Sequence, residues 1–178
     1  MPIDRDYLNE LASQSEVKVM MVCLGNICRS PMAAAVLHNR AQAISKPRVL
    51  VDSSGTGPWH VGEGANPKSI FTWESAGYKY EHVAKQFQSN MFLNQDLLLV
   101  MDETNYEDVL KLAPSKNLLK KVMLLREFES RDPNSSLDSL AVPDPYYKEL
   151  PAYAQVLQMV EKSITGLLSQ LSTSQSNS

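Results

Sequence analysis

Between Val22 and Pro31 the chain reads CLGNICRS, so Cys23 and Arg29 stand at the two ends of a C-x5-R segment. The thiolate is the nucleophilic form of cysteine, and a guanidinium is a planar fork of donors that matches two phosphate oxygens. Sulfur attack on phosphorus is the chemistry this pair suits. Gly25 permits a backbone path that other residues resist, and Asn26 has a short amide that can brace a tight loop and tolerates positive φ. The segment lacks the G-K-[ST] ending of a nucleotide-binding phosphate loop, so no lysine reaches a nucleotide from it. The competing reading makes Cys23 and Cys28 small buried hydrophobes at the end of a core strand. Gly25, Asn26, Ser30 and Pro31 around them favour the catalytic reading of Cys23. Cleaving a phosphate ester also needs a proton for the departing oxygen. Asp144 stands out for that task because Pro143 and Pro145 flank it and Tyr146 and Tyr147 follow. Spacing alone leaves an ordinary turn aspartate equally open.

The elements around these residues decide whether they can meet. Val17 to Val22 is apolar apart from one lysine, the pattern of a strand covered on both faces. Pro31 then falls in the first turn of a helix running through MAAAVLHNRAQAI. Pro47 to Asp52 reads as a second strand, and SSGTGPWHVGEGANP as a long functional loop. Pro67 to Ala76 reads as a helix ended by Gly77, Leu97 to Met101 as a third strand, and Asp102 as the cap of a helix to about Ala113. Val122 to Leu125 is a fourth strand, Arg131 to Tyr147 a loop, and Ala152 to Leu171 a closing helix. The expectation is a single α/β domain: a four-stranded parallel doubly wound sheet, helices on both faces, and a phosphate-binding loop after the first strand. Such a loop gathers free backbone N–H groups and the positive end of a helix dipole, both of which favour an anion.

Composition agrees with an ordinary globular chain. It has 178 residues, 43% hydrophobic and 21% charged, with a net charge of -3, so nucleic acid is not an expected partner. No uncharged apolar run could span a bilayer, and the polar first ten residues carry no targeting pattern, so a cytoplasmic location and no membrane partner are expected. Two cysteines cannot form a disulfide framework, and their C-x4-C spacing has no partner His or Cys cluster to complete a zinc site. The expected organisation is an N-terminal extension over 1–16, a domain over 17–171, and a disordered tail over 172–178.

VCLGNICRSP followed by a late DPYY segment resembles the low-molecular-weight protein tyrosine phosphatase family, over about Val17 to Leu168. The resemblance implies a two-step hydrolysis of phosphotyrosine without cofactor or metal, with inorganic phosphate as product. Cys23 would be the nucleophile, Asp144 the general acid and then base, and Arg29 with the amides of Leu24 to Ser30 the phosphate clamp. Ser30 would hydrogen-bond the thiolate. Asn26, Ser53 and His82 match the network that braces the loop, and Asp102 matches an acidic helix start. Leu24, Ile27, Trp59, His60, Tyr146 and Tyr147 would line a slot for an aromatic ring, and Ile27 suits phosphotyrosine where phosphoarginine relatives carry threonine. A monomer or weak dimer is expected.

The chain also departs from the family pattern. It has Asn66-Pro67-Lys68 where relatives often read DPR, Lys85 where they have arginine, and Pro143 where an acid is frequent. The change at position 85 puts an ion pair there in doubt. A thioredoxin-coupled arsenate reductase needs further cysteines, and none follows Cys28. An idle anion-binding module would need neither Cys23 nor Asp144. Cys28 could form a reversible disulfide with Cys23 under oxidation, or simply fill the core.

Overall fold

The structure, a computed structural model, describes residues 3–130 and 139–172. Among these, four strands run parallel: β1 (Glu16–Cys23), β2 (Arg48–Gly55), β3 (Leu97–Val100) and β4 (Val122–Leu124), in the order β2-β1-β3-β4. The strand order reverses between β1 and β3. That makes the carboxyl ends of these two strands the place where a crevice opens.

Period-two alternation divides the apolar residues of the sheet between two cores. Val17, Val19, Met21 and Cys23 of β1 join Leu97, Leu99 and Met123 on one face, and Met20 and Val22 join Leu98, Val100, Val122 and Leu124 on the other. The first face is covered by α1 (Arg5–Ala12), α2 (Arg29–Arg40), α3 (Pro67–Ser75) and α6 (Leu150–Ser172), with Trp73 and Tyr153 among its largest buried side chains. The second is covered by α4 (Met91–Asn94) and α5 (Glu103–Lys111), with Phe87, Phe92 and Val109 against the strands. Helix α2 is buried from Arg29 to Leu37. Its Ala33, Ala34 and Ala35 therefore allow close packing on all sides rather than forming one apolar stripe.

Three differences from the sequence reading matter for the site. Strand β2 continues past Asp52 through Ser53, Ser54 and Gly55, so that Gly55 pairs with Cys23; the small residues that signal a loop here lie under one. The segment before β1, expected as an extension, contains α1, capped by the Asp4 carboxylate accepting from the Tyr7 N–H at 3.0 Å. Its Tyr7, Leu8, Leu11 and Ala12 are buried in the first core, a stripe hidden in sequence by the acidic residues between. Helix α6 ends at Ser172, and the rest of the expected tail, like 131–138 of the expected loop, lies outside the described residues. The short α4 and the 3-10 turns at Ala41–Ala43, Lys116–Lys121 and Leu125–Phe128 carried no periodic signal.

If α1 is an integral part of the core, Leu11→Ala should lower the unfolding free energy in urea by about 2–5 kcal/mol. A dispensable extension would show a change within about 0.5 kcal/mol.

Candidate active site

The turn from β1 into α2 brings backbone donors to one point. Cys23 ends β1, and α2 begins at Arg29. The N–H groups of Gly25, Ile27 and Cys28 have no hydrogen-bond acceptor among the described residues. They stand with the amino end of α2 as donors for an anion. The sharp backbone step falls on Asn26, at φ 57°, rather than on Gly25. Gly25 instead leaves room for a neighbour, since a Cβ there would sit 3.1 Å from His60 Cδ2, a tight contact that a small shift of that ring would relieve. Gly55 is required more strictly. A Cβ on it would lie 2.6 Å from the Leu24 carbonyl oxygen and 2.8 Å from the Asn26 nitrogen.

Behind the loop the hydrogen bonds form an ordered chain. The His82 Nε2 is 2.6 Å from the Asn26 carbonyl, which can only accept, so Nε2 carries the proton and Nδ1 is left as an acceptor. Ser53 Oγ, 3.5 Å from that Nδ1, receives one Asn26 Nδ2 proton at 3.0 Å. The other Asn26 Nδ2 proton goes to Ser30 Oγ at 2.8 Å, and Asn26 Oδ1 accepts from the Lys85 N–H at 2.9 Å. Ser30 Oγ also lies 3.0 Å from Cys23 Sγ, a contact in which either atom can donate, and 3.4 Å from the Ser54 carbonyl, which can only accept its proton. The Asn26 N–H also approaches this sulfur, at 3.3 Å. Lys85, where an ion pair was in doubt, pairs its Nζ with Asp52.

On the open side Arg29 is buried, and its hydrogen bonds are made through Nη1. Its Nη1 donates to Asp102 Oδ2 at 2.6 Å and to the Val142 carbonyl at 3.1 Å, and its Nη2 lies 3.7 Å from Asp144 Oδ2. Burial pulls the guanidinium down, but Cys23, the Asp102 bond and Asp144 outweigh it, and the net direction is upward. Asp102 also caps α5 through the Asn105 N–H at 2.8 Å. Asp144 Oδ1 accepts from the Tyr146 N–H at 3.1 Å.

These groups border a cleft of about 250 Å³ lined by Cys23, Leu24, Gly25, Ile27, Cys28 and Arg29 below, and by Trp59, His60, Asp144, Tyr146 and Tyr147 at the sides. Trp59 is 65% exposed and Tyr147 93%, so the rim presents bare aromatic faces. Tyr146 and Tyr147 meet edge to face with centroids 4.7 Å apart. Every residue expected in the slot lines this cleft, whereas the side chains of Asn26, Ser30, Ser53 and His82 lie behind the loop. Two partners gave no sequence signal. Glu63 holds His60 Nδ1 at 2.8 Å, and Tyr153, 125 positions away, faces Cys28 Sγ at 3.6 Å. Burial, opposed by that Tyr153 contact, pushes the Cys28 thiol up to about 11. Among the described residues no group of three or more His, Cys, Asp or Glu is placed to hold a metal ion.

His82 is held below its ordinary value of 6.5, chiefly by burial and with the Lys85 charge adding, while the Asn26 carbonyl and Asp52 oppose. The unfolded chain therefore takes up its proton at a higher pH than the folded one, and stability falls as pH drops below 6.5. Thermal unfolding at about pH 7.5 and about pH 5 should show a larger loss for wild type than for His82→Gln. Equal losses would assign the acid sensitivity to other groups.

Comparison with known proteins places this geometry. The family profile described as "Low molecular weight phosphotyrosine protein phosphatase" matches residues 18–177. The "Low molecular weight protein-tyrosine-phosphatase" of Streptomyces coelicolor is 41% identical over 152 residues, covering 85% of this chain and 91% of the relative. "Low molecular weight phosphotyrosine protein phosphatase 1" of Drosophila melanogaster is 37% identical, covering 74% and 81%. A crystal structure of a protein tyrosine phosphatase from Entamoeba histolytica with Hepes in the active site superposes with a TM-score of 0.81 at 29% identity, covering 89% and 99%. The chain belongs to the low molecular weight phosphotyrosine protein phosphatase family.

Proposed function

We propose that the protein hydrolyses phosphotyrosine in protein substrates through a cysteinyl-phosphate intermediate, with Cys23 as nucleophile and Asp144 as general acid and then base. The observation that carries this reading is the convergence of Cys23, Arg29 and Asp144 on one cleft with aromatic sides. In the first step the Cys23 thiolate forms a bond to phosphorus as the bond to the phenolic oxygen breaks, and Asp144 gives that oxygen its proton. In the second, water attacks phosphorus, Asp144 takes a proton from it, and the sulfur–phosphorus bond breaks to release inorganic phosphate. The free loop amides and Arg29 would hold the equatorial oxygens in both steps, a preorganised electrostatic stabilisation. The Ser30 hydroxyl, 3.0 Å from sulfur, would donate to the thiolate and stabilise it as it departs.

Substrate choice follows from the walls. A phenyl ring between Trp59, His60, Tyr146 and Tyr147 buries apolar area that an alkyl phosphate does not. Ile27 lines the cleft floor, and the family resemblance implies that an aliphatic residue there, where phosphoarginine relatives carry threonine, goes with phosphotyrosine. A thiolate nucleophile keeps its activity only where thiols stay reduced, which supports a cytoplasmic setting. Among the described residues no helix is long and apolar enough to cross a membrane. Cys28 is a candidate redox guard, since a Cys23 sulfenic acid could condense with its thiol and lose water.

Hydrolysis of 4-nitrophenyl phosphate should continue in the presence of chelator and be abolished by Cys23→Ser. Asp144→Asn should lower kcat/KM by about a hundredfold to ten-thousandfold while inorganic phosphate still inhibits. Wild-type protein that releases no phenol under reducing conditions would overturn the reading. At neutral pH iodoacetate should add one group, at Cys23, because burial pushes the Cys28 thiol up to about 11; two groups added at equal rates would contradict that.

A further inference from the structure

We propose that Arg126, outside the cleft, is the positioning residue that sets the reach of Asp144. The inference rests on the reading of Asp144 as proton donor.

Arg126 follows β4 in the 3-10 turn Leu125–Phe128 and is mostly buried. Its Nε donates to Glu129 Oε2 at 2.9 Å, and its Nη1 donates to the Ala141 carbonyl at 2.8 Å. The next two backbone groups along the chain are also held. The Val142 N–H donates to the Met101 carbonyl at 2.7 Å, and the Val142 carbonyl accepts from Arg29 Nη1 at 3.1 Å. Three successive backbone groups are thus fixed to three different places: the turn after β4, the end of β3, and the phosphate loop.

What lies between those anchors and the carboxylate has little freedom. Pro143 has its φ locked by its ring, and Asp144, preceding Pro145, is confined to extended conformations. The Asp144 carboxylate is then tied to the Tyr146 N–H, and the Lys148 N–H closes a turn onto the Pro145 carbonyl at 2.8 Å. A displacement at Ala141 is therefore transmitted to Asp144 rather than absorbed on the way. Without Arg126, the bonds that tie Ala141 and Val142 to other elements among the described residues are those of Val142, and one of them depends on the same guanidinium that must hold phosphate.

A stability role alone explains this arrangement less well. Burying an ion pair such as Arg126 and Glu129 gives little net stabilisation, and the better-attested use of such a pair is to fix one geometry. Here the guanidinium also donates to a loop carbonyl three residues before a catalytic carboxylate.

The test is a series of substituted phenyl phosphates of differing leaving-group acidity, assayed as kcat/KM with wild type, Arg126→Met, Arg126→Lys, Glu129→Gln and Asp144→Asn. A displaced proton donor hurts poor leaving groups most. Arg126→Met should lower kcat/KM for phenyl phosphate about tenfold and for 4-nitrophenyl phosphate about twofold or less, with the inhibition constant of inorganic phosphate unchanged. Arg126→Lys retains a donor for Ala141 and should recover most of the loss. If Arg126→Met does not fold, Glu129→Gln, which loosens the same clamp, should shift the leaving-group dependence in the same direction by less. Wild-type dependence in the folded clamp variants, beside a steep dependence in Asp144→Asn, would overturn the inference and leave the Asp144 reading intact. A uniform loss across substrates together with weakened phosphate inhibition would show a merely structural role and also overturn it. No leaving-group dependence in Asp144→Asn itself would remove the proton donor on which the inference stands.

Discussion

The left-handed backbone at Asn26 is the constraint on which the cleft depends. An L-residue in that region carries a steric cost of about 1–2 kcal/mol, and at this position it is met by complete use of the residue's hydrogen-bonding groups. The backbone N–H points to Cys23, the carbonyl accepts from His82, the side-chain oxygen accepts from Lys85, and the two amide protons go to Ser30 and Ser53. Buried almost completely, it leaves none of these groups unpaired. The curl turns the loop's other N–H groups away from the core, and it brings the sulfur, the hydroxyl that serves it, and the start of α2 into one arrangement. Glycine would adopt the same φ freely but would supply neither side-chain donor nor acceptor.

The second organising group is Arg29, which belongs to two structures at once. It starts α2 and closes the loop after β1, yet its Nη1 is committed to Asp102 at the head of α5 and to Val142 in the stem leading to Asp144. Desolvating a guanidinium this far is tolerable because carboxylates and carbonyls surround it. The two loops that must act together thus share one rigid charge, positioned where the strand order reverses.

Much of this was legible in the chain. The unbroken apolar runs of β1 and β3 announced a sheet covered on both faces, and C-x5-R with a distant D-P pair marked the two loops that now face each other. What could not be read depended on contacts between distant residues. Ser53 to Gly55 look like a turn in sequence and become strand because β1 lies alongside. Tyr7, Leu8 and Leu11 stand out only once a core exists to receive them. Tyr153 and Arg126 belong to elements that say nothing locally about Cys28 or Ala141. Lys85, which differs from the family's arginine, still forms its ion pair because Asp52 on β2 lies within reach of a single ammonium. Gly25 shows the converse error, since the residue type suggested backbone latitude and the left-handed step falls on Asn26 instead.

The two tryptophans lie in opposite surroundings. Trp73, 1% exposed, sits in the first core against α2 and α6, while Trp59 stands at the rim of the cleft with most of its indole in water. Their emission therefore separates by environment, the buried indole towards the blue and the rim indole towards the red. Only the red component borders the cleft, so the molecule carries a native optical reporter of cleft occupancy beside an internal reference for the integrity of its core.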